Sequence, residues 1–311
     1  MTRRGVFYFV VVGVIWGLPY ALIRVAVREL SPEYLAFART AMATIVLMPF
    51  ACRQGGRRGW LQVVRAWKVM LAYSLVELAI PWLMLFRAEQ HLPSSLAGLL
   101  LATVPLFALL LAPFLSARER IGVVRIVGVA IGLGGVAVLV GLEVRTSDLV
   151  AVGEVLLTAL GYALGPLLVS RYLRELPSLV VITASLVFCT VVYAPAAVFA
   201  APAHISGETI ECVLTLALVC TALGFIAFFA LIGEVGPARA TVVTYINPAI
   251  AVLIGVTALH EPFSAGVAVG FPLVIAGSVL STRPATRREE LSVAAEAVGA
   301  AERVRTARND A

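Results

Sequence analysis

The chain has 311 residues, of which 61% are hydrophobic and 14% charged, against about 45–50% and about 25% in an ordinary soluble domain. At about 20 apolar residues per spanning helix, roughly 190 apolar residues supply eight to ten spans and leave little for an extramembrane domain, which excludes an ordinary soluble enzyme. The excess of 24 Lys and Arg over 18 Asp and Glu is read by position, as a topology signal rather than a nucleic-acid footprint.

The opening Met1-Thr2-Arg3-Arg4 has the look of a signal-peptide head. The apolar run from Gly5 to Val27 is longer than a signal h-region of about 7–15 residues, and many more runs follow, so it predicts the first span. Polar breaks at 28–33, 53–65, 87–93, 118–120, 143–148, 171–177, 201–208, 233–237 and 260–262 then delimit ten spans. Most breaks are short, so the helices are expected to run as antiparallel neighbours. With the N-terminus in the cytoplasm, sixteen basic residues from Arg3 to Arg288 fall inside and three, Arg28, Arg87 and Arg145, fall outside. The expected topology is a multi-pass protein of the cell membrane with both termini cytoplasmic.

The two halves echo each other. Arg28-Glu29-Leu30 before Pro32 returns as Arg174-Glu175-Leu176 before Pro177, and Pro105, Glu119, Gly128 and Gly135 return as Pro248, Glu261, Gly270 and Gly277. Five spans per half is an odd number, which predicts an inverted repeat. The expected fold is therefore all-α and integral to the membrane, with ten transmembrane helices as two inverted five-helix repeats at 1–142 and 143–282. Residues 283–311, polar and mixed in charge, are expected to be a disordered cytoplasmic tail.

Primary transport and catalysis find little support. The one lysine, Lys68, follows Arg65-Ala66-Trp67, so no GxxxxGK phosphate loop exists. Two aspartates, Asp148 and Asp310, and three scattered histidines, His91, His204 and His260, offer no metal cluster. Cys52, Cys189, Cys212 and Cys220 fall singly in apolar runs and read as small buried residues. No cofactor is expected.

Ionisable groups within spans mark a pathway by default. Glu77 falls near the middle of span 3, Arg39 a third of the way into span 2, where a structural anchor hydrogen-bonding helix ends also explains it, and Arg24 near the outer end of span 1, where snorkelling also explains it. Helical spacing puts Trp16, Tyr20 and Arg24 on one face, and likewise Tyr73 with Glu77, Thr158 with Tyr162, and Thr241 with Tyr245. Trp16 and Trp82 lie deep and need an indole partner or a wet cavity. Pro105 and Pro248 fall at equivalent places in the two halves and are expected to interrupt their helices beside a central site, with Asn247 satisfying a freed carbonyl or contacting the solute. The GxxxG pairs Gly128/Gly132, Gly161/Gly165 and Gly266/Gly270 read as internal packing, with a homodimer as the other reading.

In order and duplication these features resemble the drug/metabolite transporter superfamily, and within it the EamA-like transporters. The matching residues are Trp16-Gly17, Pro32 with Phe37 and Arg39, Val104-Pro105 through Glu119-Arg120 to Gly128 and Gly135, Gly153-Glu154, and Asn247-Pro248 through His260-Glu261 to Gly270 and Gly277. The sequence departs from the family at Arg118, where glycine usually precedes the glutamate, and at Tyr162, where tryptophan is usual. The resemblance implies a secondary transporter that moves amino acids, related metabolites or drug-like solutes, commonly outward, by alternating access. The expected site is a central cavity with aromatic walls from Trp16, Tyr20, Trp82, Tyr162 and Tyr245, bounded also by Tyr73 and Asn247, with Arg39 and Glu77 as charged contacts for a small-molecule solute. A proton at Glu77 is the other reading of that residue. A flippase for lipid or polyprenyl-linked headgroups is the alternative within transport, and a membrane enzyme the alternative outside it.

Overall fold

The computed structural model describes residues 2–115, 123–236 and 240–282. The turn of Arg118, Glu119 and Arg120, Arg239, and the expected tail 283–311 lie outside the described residues. Among the described residues eight helices are long and apolar enough to cross a membrane: α1 (Arg3–Ala26), α2 (Pro32–Arg65), α3 (Trp67–Ala88), α4 (Ser94–Leu111), α5 (Val123–Glu143), α6 (Thr146–Leu173), α7 (Ser178–Phe199) and α8 (Gly207–Val235). Two shorter apolar helices follow, α9 (Val242–Thr257) and α10 (Ala265–Ser281), and the described residues contain no strand. The chain is an all-α membrane protein. Large apolar side chains such as Ile45, Val123 and Phe199 are 72%, 73% and 92% exposed, an arrangement suited to lipid rather than water.

Local chemistry sets the helix starts. Thr2, Ser31, Ser206 and Ser264 each accept a backbone N–H of the first turn of α1, α2, α8 and α10, satisfying donors that a helix leaves orphaned. The 34 residues of α2 reach about 50 Å at 1.5 Å each, well beyond a hydrocarbon core of about 30 Å. The excess follows Gly56, whose φ of 50° bends the chain out of the helix. Beyond it lie the exposed Arg57, Arg58 and Arg65 and the exposed Trp67.

Several helices are interrupted. α1 breaks at Leu18 before Pro19, and α4 breaks at Ala102 and Thr103 before Val104-Pro105. α9 opens with a tight 3-10 turn over Thr241–Tyr245, and regular helix resumes at Asn247-Pro248. Each proline thus occupies a first turn, where its missing N–H costs nothing. The mid-helix kinks expected at Pro105 and Pro248 take the form of full breaks. π segments interrupt α3 at Ser74–Ala79 and α8 at Thr215–Leu223, and end α6 at Val169–Leu173.

The helices pack in pairs, most extensively α5 with α10 and α2 with α7, followed by α3 with α6, α4 with α9, and α1 with α8. The glycines make these approaches close. A Cβ at Gly277 would collide with the backbone of Gly132, one at Gly270 with Leu139, one at Gly161 with the Val76 carbonyl and one at Gly266 with Glu143. All six GxxxG glycines are used in contacts within the chain. Three cysteines are buried as expected, whereas Cys52 is exposed, because it falls on the outward side of α2 where that helix leaves the bundle.

Gly277→Ala should lower the thermal unfolding midpoint in detergent, at a cost of about 1–3 kcal/mol for overpacking. Gly134→Ala, which meets open space, should leave it unchanged.

Candidate functional site

The centre of the bundle is organised around one cation. Arg39, on α2, is only 6% exposed. Its Nε donates to Thr221 Oγ1 at 2.9 Å, and its guanidinium lies 3.9 Å from the Trp82 ring centroid with Phe86 beyond at 5.8 Å. Thr221 is free to accept because of the π segment of α8: its hydroxyl donates to the Leu216 carbonyl, five residues back, at 2.8 Å. The Nε donation is the one hydrogen bond of Arg39 among the described residues. Its two amino groups therefore keep their donors for another partner.

Aromatic groups from three helices surround this cation. Tyr20 of α1 and Tyr162 of α6 both face Arg39, and the Trp82 indole faces the Tyr162 hydroxyl. Tyr162 also lies within electrostatic reach of Glu77. Glu77 is carried by the π segment of α3 and is half-buried; its Oε2 is sealed from solvent and has no hydrogen-bond partner. Gly165 of α6 makes room for that carboxyl, since a Cβ there would collide with it. Tyr73 is buried one turn away on the same helix and faces Glu77. The π segment is fixed from outside, by the Tyr193 hydroxyl donating to the Ala79 carbonyl and the Thr158 hydroxyl donating to the Pro81 carbonyl at 3.0 Å. Thr158 is thus occupied with helix packing.

The structure brings Arg39, Trp82, Tyr20 and Tyr162 into one cluster and joins Tyr73 and Glu77 to it through Tyr162. Arg39 and Glu77 do not form an ion pair; among the described residues the one salt bridge is Arg87 to Glu154, at 3.2 Å. Trp16 lies against α8, with Phe225 and Phe228 at 5.8 and 4.7 Å between ring centroids and Gly224 beneath its indole nitrogen. Asn247 sits at the α9 break, where the neighbouring Val243 and Gly13 carbonyls, 3.2 and 3.3 Å away, assign the nearer amide atom as the nitrogen that donates to them. Tyr245 stands apart from Arg39. Its hydroxyl bonds the Ser278 carbonyl at 3.1 Å and Thr282 Oγ1 at 2.7 Å on α10. The two helix breaks meet on that helix, because the Ser278 hydroxyl also donates to the Ala102 carbonyl freed by the α4 break, at 2.7 Å.

The end of the bundle away from the N-terminus is latched by carboxylates. Glu261 accepts the Ser94 and Ser95 backbone N–H groups at 2.7 and 2.9 Å, capping α4 from the α9–α10 turn. His260 adopts a φ of 55° to turn the chain there, a region few side chains tolerate. Glu143 caps α10 at Gly266, at 3.0 Å, and Glu29 accepts the Ser206 N–H at 2.9 Å. That N–H, together with the Thr209 and Ser206 hydroxyls, holds the Glu29 carboxyl below its ordinary range. Arg24 does not snorkel; its Nη1 donates to the Glu89 backbone carbonyl. Two cavities lie at the bundle ends. One of about 340 Å³ is lined by Arg3, Arg4, Phe7, Tyr8 and Glu234, and one of about 170 Å³ by residues that include Arg87, His91, Asp148 and Glu154. Neither includes Arg39 or Glu77; in the central cluster Arg39, Tyr20 and Trp82 are buried.

Sequence reasoning missed Thr221, Glu89 and the capping role of Glu261. Thr221 is one hydroxyl in an apolar run, and only the Arg39 contact distinguishes it. Glu89 falls in the polar break 87–93, where a carboxylate reads as solvated.

Comparison with known proteins agrees with this architecture. The model of the EamA-like transporter family matches residues 3–141 and again 150–283. The uncharacterized inner membrane transporter YedA of Escherichia coli (strain K12) is 29% identical over 253 residues, covering 78% of each chain. A probable terminal-alkyne amino-acid exporter of Streptantibioticus cattleyicolor is 28% identical over 299 residues, covering 93% of this chain and 97% of that protein. A probable amino-acid metabolite efflux pump of Salmonella typhimurium is 25% identical over 292 residues, covering 89% and 94%. A crystal structure at 18% identity superposes with a TM-score of 0.66 over 91% of this chain and 98% of that one, a likeness of fold. Closely packed apolar helices, paired helix breaks and a family match spanning both halves lead to one conclusion: the chain belongs to the EamA-like transporter family.

Proposed function

We propose that the chain is a secondary transporter that exports a small amino-acid-like solute by alternating access between two inverted halves, with its N-terminus in the cytoplasm. The observation that carries the substrate class is Arg39: a buried guanidinium stacked on Trp82, with two amino groups unspent, has the fork geometry that receives a carboxylate. Glu77, across Tyr162 with an unpartnered oxygen, suits the solute ammonium. Tyr20, Tyr162 and Trp82 supply apolar walls whose faces also favour a cation. Two relatives described as exporting amino acids or their metabolites support the same class.

The inverted repeat is supported by the double family match and by the packing. Exchanging the halves maps α1 with α8 onto α6 with α3, and returns the pairs α2–α7, α4–α9 and α5–α10 to themselves. The residue equivalences follow: Trp16 against Phe225 and Phe228 mirrors Tyr162 against Trp82. Rocking of one half against the other would open the packed centre to either side while the charged contacts stay on the axis.

In proteoliposomes loaded with a radiolabelled amino-acid mixture, Arg39→Ala should reduce efflux about tenfold or more, the loss expected for a charge-assisted contact. Arg39→Lys should not restore it, since an ammonium cannot stack on Trp82 and grip a carboxylate at once. Efflux equal to the native protein in Arg39→Lys would show that only charge matters there. Glu77→Gln should abolish the preference for amino acids over the matching deaminated acids in competition assays while leaving efflux of the latter in place.

A further inference from the structure

α3 is followed directly by Glu89, whose side chain is fully buried. Neither carboxyl oxygen has a hydrogen-bond partner. The cation beside it, Arg24 of α1, gives Nη1 to the Glu89 backbone carbonyl. The other groups facing the carboxyl are Glu261 from the α9–α10 turn, Arg39 of α2, Tyr20 of α1 and Tyr162 of α6. Glu261 is already engaged by the first N–H groups of α4. The Arg24 and Arg39 guanidiniums favour the charged form, but full burial with neither oxygen hydrogen-bonded, and the like charge of Glu261, outweigh them and favour the protonated acid.

The position of Glu89 couples that proton to movement. A tight turn, with the His91 and Leu92 N–H groups on the Ala88 carbonyl at 3.0 and 2.8 Å, joins Glu89 to Ser94, so the buried acid and the capped start of α4 form one short unit. Separating α4 from Glu261 would draw Glu89 toward the water at that end. We propose that Glu89 is a proton-binding site of the transporter, loaded while this end of the bundle is shut and emptied into water when α4 parts from Glu261. Arg24, released from the backbone carbonyl, then pairs with the carboxylate. The proton leaves to solvent and returns from it, so one proton is exchanged per opening and closing of this end. An acid that holds its proton more tightly when shut stabilises the shut state at low pH, and that contribution is lost as pH rises through the shut-state titration.

This goes beyond the solute site, and its test needs no solute, so its failure leaves the role of Arg39 standing. The purified full chain in detergent is followed from mildly acidic to mildly alkaline pH. Infrared difference spectra should show a protonated carboxylic-acid band lost on alkalinisation, with reduced amplitude in Glu89→Gln. Hydrogen exchange of the peptide spanning residues 93–101, corrected for intrinsic pH dependence, should rise severalfold with pH in the native chain. In Glu89→Gln, which imitates the neutral acid, it should stay at the low-pH level. If Glu89→Gln fails to fold, Glu89→Asp retains a titrating group and should shift the pH of both transitions. A band unchanged in Glu89→Gln, or the same pH-dependent exchange in the variant and native chains, would overturn the proposal.

Discussion

The architecture depends on holding one guanidinium inside a membrane bundle. An arginine at the centre of a span costs about 2.5–3.5 kcal/mol on insertion scales, an upper bound for Arg39, a third of the way along its span. Stacking on Trp82 returns about 2 kcal/mol when desolvated, and a charge-assisted bond to Thr221 about 1.5–3 kcal/mol. The cation is thus close to balanced without any carboxylate partner, and this leaves its amino groups available. Two of the polar groups at the centre sit in backbone irregularities. Thr221 accepts from Arg39 while its own hydroxyl donates to the Leu216 carbonyl within the α8 π segment, and Glu77 occupies a π segment of α3.

These irregularities are tolerated because neighbours satisfy what they release. Ser278 bonds the Ala102 carbonyl at the α4 break, Asn247 bonds Val243 and Gly13 at the α9 break, and Tyr193 bonds Ala79 at the end of the α3 π segment. In lipid no water can take that role, and at these three places a polar side chain takes it instead. Regular helices such as α5 and α10 instead meet largely through glycines, with Glu143 accepting the Gly266 N–H at one end. The bundle thus separates into a tightly packed glycine-lined part and an irregular centre that carries the charged and aromatic groups.

Much of this was legible in the sequence, and for identifiable reasons. Apolar runs and short breaks prescribe the ten helices, and the recurrence of Pro105 as Pro248 marks both interruptions, because proline position is a backbone property. Arg39, Trp82, Tyr20 and Tyr162 stand out as polar or aromatic groups deep in apolar runs, and they do cluster. What the sequence concealed depends on contacts between distant helices. Tyr245 shares the helical spacing of a wall residue, yet it lies in a 3-10 turn and its hydroxyl bonds α10. Glu89 reads as a loop carboxylate until Arg24 and the start of α4 close around it.

The central claim is that Arg39 is held for the carboxylate of the solute, and matched solute pairs test it directly. Counterflow into proteoliposomes should be measured for a set of amino acids and, in parallel, for their carboxamides, which keep shape and ammonium but lose the anion. The account predicts that the acids are exchanged and the amides are not, with the difference disappearing in Arg39→Ala. Exchange of amides as rapid as that of the acids would contradict it.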